Sequence, residues 1–245
     1  MTFTVVARCP KTKALGIALA TSPLGVASRC PHVRGGVAAI SSQCHSNWRL
    51  GLMGLELAEQ GKKPKDIMEA MRKSDPHFHD YRQVGIVNIE GELAVHSPPK
   101  GHYWTGHKTG DGFITMGNGI AGPQVVDEMF AAYQKNAAEP FEERILRTLE
   151  AGYLAGGEVV GQLSAGMIVA DPGVKRPRID LRIDMANPTP PEGGDAVKDL
   201  RRVFNAYKPL IPYYGGYWID NPDLGWKEWL NKPEIDWKSW ANTAA

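Results

Sequence analysis

The chain has 245 residues, 42% of them hydrophobic and 22% charged, and its 28 Lys and Arg against 27 Asp and Glu leave a formal net charge of +1. This even balance, with no Lys/Arg run longer than two, excludes the electrostatic footprint of a general nucleic-acid binder. No segment approaches the roughly 18 consecutive apolar residues of a membrane-spanning helix.

At about 150 residues per domain, the length fits one large domain with a substantial core. The start of the chain lacks the basic, apolar and small-residue layout of a signal peptide, so the protein is expected in the cytoplasm. Cys9, Cys30 and Cys44 are the three cysteines. Their spacing matches no metal knuckle and their number is odd, so free thiols are expected.

Three strands come early in the pattern: Thr2 to Arg8, Leu15 to Ala20 before Thr21-Ser22-Pro23, and Gly36 to Ser42. From Leu50 the spacing turns helical, through Leu52, Leu55 and Ala58. It restarts at Pro64, a good first-turn residue, with Ile67, Met68 and Met71. Val84 to Ile89 and Leu93 to His96 flank Glu90-Gly91-Glu92 as a hairpin, and Phe113 to Met116 is expected to join it as a third strand. Pro123 opens a helix carrying Val125, Val126, Met129, Phe130 and Tyr133 on one face, and Phe141, Ile145, Leu146 and Leu149 repeat the pattern. Two further strands, Leu163 to Ala170 and Ile179 to Asp184, precede a Pro-rich linker, Asn187 to Gly194, and a helix over Ala196 to Tyr207.

Strands in blocks predict an α+β protein with largely antiparallel sheets and helices on their outer faces. No internal repeat is present. Five of the seven tryptophans, Trp218, Trp226, Trp229, Trp237 and Trp240, crowd the last 28 residues. So aromatic a tail is expected to pack on its own domain or on another subunit, which favours a dimer or larger homo-oligomer.

Several constellations could carry chemistry. Gly117-Asn118-Gly119-Ile120-Ala121-Gly122 fits a G-x-G-x-x-G pattern, but two successive helical patterns follow it where a dinucleotide fold needs a βαβ unit. Two readings stay open: a tight turn before a Pro-started helix, or a loop whose backbone and Asn118 amide line a pocket. His77-Phe78-His79-Asp80, with His102 and His107 further on, has metal-like composition in what reads as an exposed connection, so no metal is expected. Cys44 and His45 are adjacent and so point to opposite faces of a strand; Cys44 reads as a packed residue.

The start of the chain is more informative. Thr2 is small enough for the preceding Met to be removed, which leaves an α-amine beside a β-hydroxyl. An α-amine titrates ordinarily at about 7.7 to 8.0 and can take the proton of that hydroxyl as its oxygen attacks a carbonyl.

Met1 to Arg8, Gln43-Cys44-His45-Ser46-Asn47-Trp48-Arg49-Leu50-Gly51, and Arg82-Gln83-Val84-Gly85-Ile86-Val87 resemble the family catalogued as domain of unknown function 1028. So do His96, Trp104-Thr105-Gly106-His107, Gly117 to Gly122, Leu163-Ser164-Ala165 and Asp180-Leu181-Arg182-Ile183-Asp184, in matching order as far as about Tyr207. The resemblance implies an N-terminal nucleophile (Ntn) hydrolase fold, a four-layer αββα sandwich of two antiparallel sheets. It implies a domain over residues 1–208 and leaves 209–245 as a Trp-rich extension.

Carried onto this chain, the resemblance makes Thr2 the nucleophile. Gln43, Asn47 and Asn118 become candidates for oxyanion or amine contacts, and Thr4, Ser22, His45, Arg49 and His96 candidates for substrate binding. The chain departs from the family pattern at Cys9, where an acidic residue is usual, and at Met185 and Ala186, where polar residues stand; these changes bear on substrate preference.

The expected function is therefore hydrolysis of a nonpeptide C–N bond in a small molecule, with no cofactor. Two alternatives remain from the sequence. One is a hydrolase that retains Met1 and activates water with His45, His96 or Asp180, opening a cyclic amide. The other is a noncatalytic binding or assembly protein that uses its aromatic tail.

Overall fold

A computed structural model describes residues 1–186 and 195–235. The expected linker at 187–194, and Trp237 and Trp240, lie outside the described residues.

Two wholly antiparallel sheets form the centre. Strands β1 (Thr2–Arg8), β2 (Leu15–Thr21), β3 (Pro31–Arg34), β4 (Ala38–Cys44), β5 (Arg82–Asn88) and β6 (Leu93–His96) come first, followed by β7 (Trp104–Gly110), β8 (Phe113–Ile120), β9 (Ser164–Ala170) and β10 (Ile179–Ile183). The six-stranded sheet runs β10-β9-β2-β1-β8-β7 and the four-stranded sheet β3-β4-β5-β6.

Period-2 alternation in β1 explains the layering. Phe3, Val5 and Ala7 point outward to a helix layer. Val6 points inward and joins Leu15, Ile17, Leu19, Ala39, Val87, Ile114 and Met116 between the sheets. The two sheets come close at Gly85, where an added β-carbon would lie 3.1 Å from Met116 Sδ.

Helices cover both outer faces. α1 (Trp48–Glu59) and α2 (Pro64–Ser74) lie on the four-stranded sheet, where Leu50, Leu55, Ile67 and Met71 meet Ile40, Val84 and Ile86. The single turn α3 (Phe78–Tyr81) leads into β5. α4 (Pro123–Lys135), α5 (Phe141–Leu154) and α6 (Ala196–Tyr207) lie on the six-stranded sheet and bury Val125, Met129, Tyr133, Ile145, Leu149, Leu200 and Phe204. The molecule is thus an α+β, four-layer αββα sandwich of two antiparallel sheets.

One strand pairs differently from the expectation. Phe113–Ile120 does not join the β5–β6 hairpin; it pairs with β1 on one side and β7 on the other. Packing decides this, because Phe113 stacks on Tyr133 of α4 with ring centroids 4.0 Å apart. Beyond α6, the described part of the tail, as far as residue 235, folds largely on itself: the Trp229 indole Nε1–H donates to the Pro209 carbonyl at 2.9 Å and the Tyr213 hydroxyl to the Leu224 carbonyl at 2.8 Å. Trp218 and Trp226 stay exposed. Among the described residues no helix is long and apolar enough to cross a membrane.

Candidate active site

Antiparallel pairing sets Thr2, the first residue of β1, opposite Asn118 of β8. Thr21 closes β2 alongside it. Thr2 is only 3% exposed. Its hydroxyl hydrogen-bonds the Met1 carbonyl and lies 3.4 Å from the Thr21 hydroxyl. Thr21 Oγ1 donates to that same carbonyl at 2.5 Å.

Below Thr2 sits a buried cluster of three amides, built by register. Gln43 of β4 faces Gln83 of β5 across the four-stranded sheet. Gln43 Nε2 and Asn118 Nδ2 both donate to Gln83 Oε1, at 2.8 and 2.9 Å, and both reach toward the Thr2 carbonyl, at 3.3 and 3.4 Å. Gln83 Nε2 faces Ser97 Oγ at 2.8 Å and the carbonyls of Gly117 at 3.0 Å and Gly106 at 3.1 Å. The Thr4 hydroxyl donates to Gln43 Oε1 at 2.6 Å, and Ser41 does so at 3.0 Å. A buried amide left unpaired costs about 1–3 kcal/mol, so this network fixes one position for the start of β1. Its geometry makes Gln43, Asn118 and Thr4 holders of the Thr2 backbone.

A carboxylate completes the surroundings. Glu158, 3% exposed, forms a bridge to Ile120 at the end of β8. Its Oε2 accepts the Ser22 N–H at 2.7 Å, whereas its buried Oε1 has no hydrogen-bond partner. Burial pushes this carboxyl up to about 7, against the opposing pull of Ser22, the Met1 ammonium and Thr21. Met1 itself fills the space in front of Thr2: its side chain crosses Gly119, whose φ of +68° and missing β-carbon allow that approach.

The structure therefore brings together Thr2, Thr4, Gln43, Asn118 and, through its backbone, Ser22. Other expected site residues lie elsewhere. Asn47 caps α1, accepting the Arg49 N–H at 3.2 Å and donating to Asp75 at 2.9 Å, so its amide is engaged away from Thr2. Arg49 is exposed with its guanidinium over Trp48. His45 is exposed and edge-on to Tyr81, and His96 stacks on Phe78 at 5.0 Å. Asp180, offered as a water activator with these histidines, pairs with Arg182 on β10, the edge strand of the six-stranded sheet that is separated from β1 by β9 and β2. Cys44 is half-buried, and burial raises its thiol above the ordinary value.

Sequence reasoning missed Glu158, Gln83 and Thr21. Gln83 appeared there only as part of a family-like segment; the β4–β5 register, once known, makes it the partner of Gln43. Two open clefts lie away from Thr2. One, of about 470 Å³, lies between Gly36 and Glu92; the other, of about 480 Å³, lies against Tyr207 and Tyr214.

The sequence model for a family of unknown function, DUF1028, matches residues 2–193. The chain belongs to this family. It is similar to protein SPO2555 from Silicibacter pomeroyi, whose crystal structure is also described as DUF1028, at 26% identity and a TM-score of 0.75, over 84% of this chain and 86% of that one. Lower similarity extends to HslV from Trypanosoma brucei, at 7% identity and a TM-score of 0.38 over 69% of this chain and 99% of that chain. Anbu, an ancestral beta-subunit from Yersinia bercovieri, gives 9% identity and a TM-score of 0.38 over 87% and 96%. Comparison with curated proteins finds no match.

Proposed function

We propose that this DUF1028 protein is an Ntn-type amidohydrolase that cleaves a nonpeptide C–N bond of a small molecule, with Thr2 as nucleophile once Met1 is released. One observation carries the reading. The Thr2 hydroxyl stands at the start of the central strand beside a second hydroxyl, Thr21, that already donates to a carbonyl, while the amide cluster locks the Thr2 backbone.

The freed Thr2 amine takes the Oγ1 proton as Oγ1 attacks the substrate carbonyl carbon. Thr21 Oγ1 supplies a donor to the oxygen that becomes negative, an interaction of a kind that contributes about 10²–10³-fold in rate. The same amine, now protonated, gives its proton to the leaving nitrogen. Water then attacks the Thr2 ester and releases the acid. Gln43, Gln83 and Asn118 act as positioning residues in this scheme.

The same reading makes residues 1–208 the catalytic domain of a cytoplasmic enzyme that needs no cofactor. The 209–245 extension, with Trp218 and Trp226 exposed, supports assembly into a homo-oligomer. The test is ammonia release from a panel of small amides by protein that begins at Thr2. Thr2→Ser should retain turnover and Thr2→Ala should abolish it while the fold is unchanged by circular dichroism; full activity in Thr2→Ala refutes the assignment.

A further inference from the structure

Met1 lies in this site as an acyl group would. Its carbonyl oxygen is held by Thr21 Oγ1 at 2.5 Å beside the Thr2 hydroxyl, and its side chain runs across the bare face of Gly119. Close by is a carboxylate with one oxygen bound to Ser22 N–H at 2.7 Å and the other, Glu158 Oε1, buried and unpartnered. An orphaned buried carboxylate oxygen is costly in a folded protein, and it is stabilised by any donor that reaches it.

The geometry points to an α-amino acid amide as the substrate, with its carbonyl on Thr21, its side chain over Gly119 and its α-ammonium on Glu158. This rests on Thr2 being the nucleophile. Met1 is the internal stand-in for that occupant: the ammonium sits two bonds from the carbonyl carbon, and the Met1 ammonium charge already acts on the Glu158 carboxyl. Being tied to the Thr2 nitrogen, Met1 leaves Oε1 without a hydrogen bond; a free amino acid amide is under no such tether. The reaction balances without a further reactant. Thr2 Oγ1 forms an ester with the aminoacyl carbon, the C–N bond breaks and ammonia leaves with the proton from the Thr2 amine. Water then opens the ester to the amino acid.

The test uses protein beginning at residue 2 and two probes, L-methioninamide and its des-amino counterpart 4-(methylthio)butanamide. A hydrogen bond to a charged group contributes about 1.5–3 kcal/mol, so kcat/KM for L-methioninamide should exceed that for the des-amino amide by at least about 10-fold. Glu158→Gln keeps an acceptor for Ser22 N–H and should bring the ratio to within about 2-fold.

Calorimetry with Thr2→Ala reads the same preference without turnover. Preferential binding there, alongside hydrolysis that survives Thr2→Ala, leaves the ammonium site standing and removes Thr2 as nucleophile. Equal or absent binding of both amides overturns the inference. So does a Glu158→Gln loss of the same size for both probes, which would assign Glu158 to the Thr2 amine.

Discussion

Replacing Glu158 with glutamine isolates the cost of one buried carboxylate. The side chain is 3% exposed, and only one of its oxygens has a partner. Burial raises its carboxyl from the ordinary 4.5 to about 7. A group whose folded value is raised binds its proton more tightly when folded. Its contribution is therefore fully present below pH 4.5, declines as pH rises, and is lost above about 7.

At about 1.4 kcal/mol per unit, the wild type should lose about 2–3 kcal/mol between pH 5 and pH 8 from this group alone. Glu158→Gln has the same shape, keeps the Ser22 contact and cannot ionise. The stability difference between variant and wild type should therefore swing in favour of the variant by about that amount over the same interval, with every other titrating group cancelling. Urea unfolding of the Met1-bearing form of each protein at the two pH values measures it. A difference that stays constant with pH would refute the claim that Glu158 is a buried, ionisable group under strain.

Other expectations follow from the same geometry. Asp75 is buried, yet hydrogen bonds from Arg82, Asn47 and the His77 N–H hold its carboxyl down at about 2. Its stabilisation should therefore be present above about pH 4 and lost as pH falls toward 2, worth about 2 kcal/mol, so Asp75→Asn should flatten the acid limb of a Tm-versus-pH curve. Gln83→Leu removes the acceptor shared by Gln43 and Asn118 and should cost at least about 3 kcal/mol in chemical unfolding. Gly119→Ala places a β-carbon at positive φ and against Met1. Its penalty should be about 1–2 kcal/mol in protein starting at Thr2 and distinctly larger when Met1 is present, as calorimetric Tm values of the two forms would show.

Much of the fold was legible because periodicity is a local property. The β-branched run Thr2–Arg8 and the apolar run Leu15–Ala20, both buried almost throughout, and the helical stripes of α2, α4, α5 and α6, follow from side chains that must face a core. Pairing is not local. Nothing in Phe113–Ile120 says that it lies beside β1 rather than beside the hairpin, and Trp104–Gly110 escaped notice because this edge strand carries Gly, Lys and Thr with half-buried and exposed positions.

The site divides in the same way. Thr2, Gln43 and Asn118 were singled out and do converge. Asn47 carried the right chemistry in the wrong place, as an N-cap. Glu158 stood in a glycine-rich bend where positive φ at Gly156, Gly157 and Gly161 masks any periodicity, and it is non-local contacts, the bridge to Ile120 and the Ser22 N–H, that bring it beside Thr2.

The most direct test of Thr2 as an N-terminal nucleophile is top-down mass spectrometry of the native protein before and after exposure to a β-lactone acylating probe. The account predicts a chain that begins at Thr2 and gains one acyl group, mapped to Thr2. A chain that keeps Met1 while hydrolysing amides, or an acyl group mapped to any other residue, would contradict it.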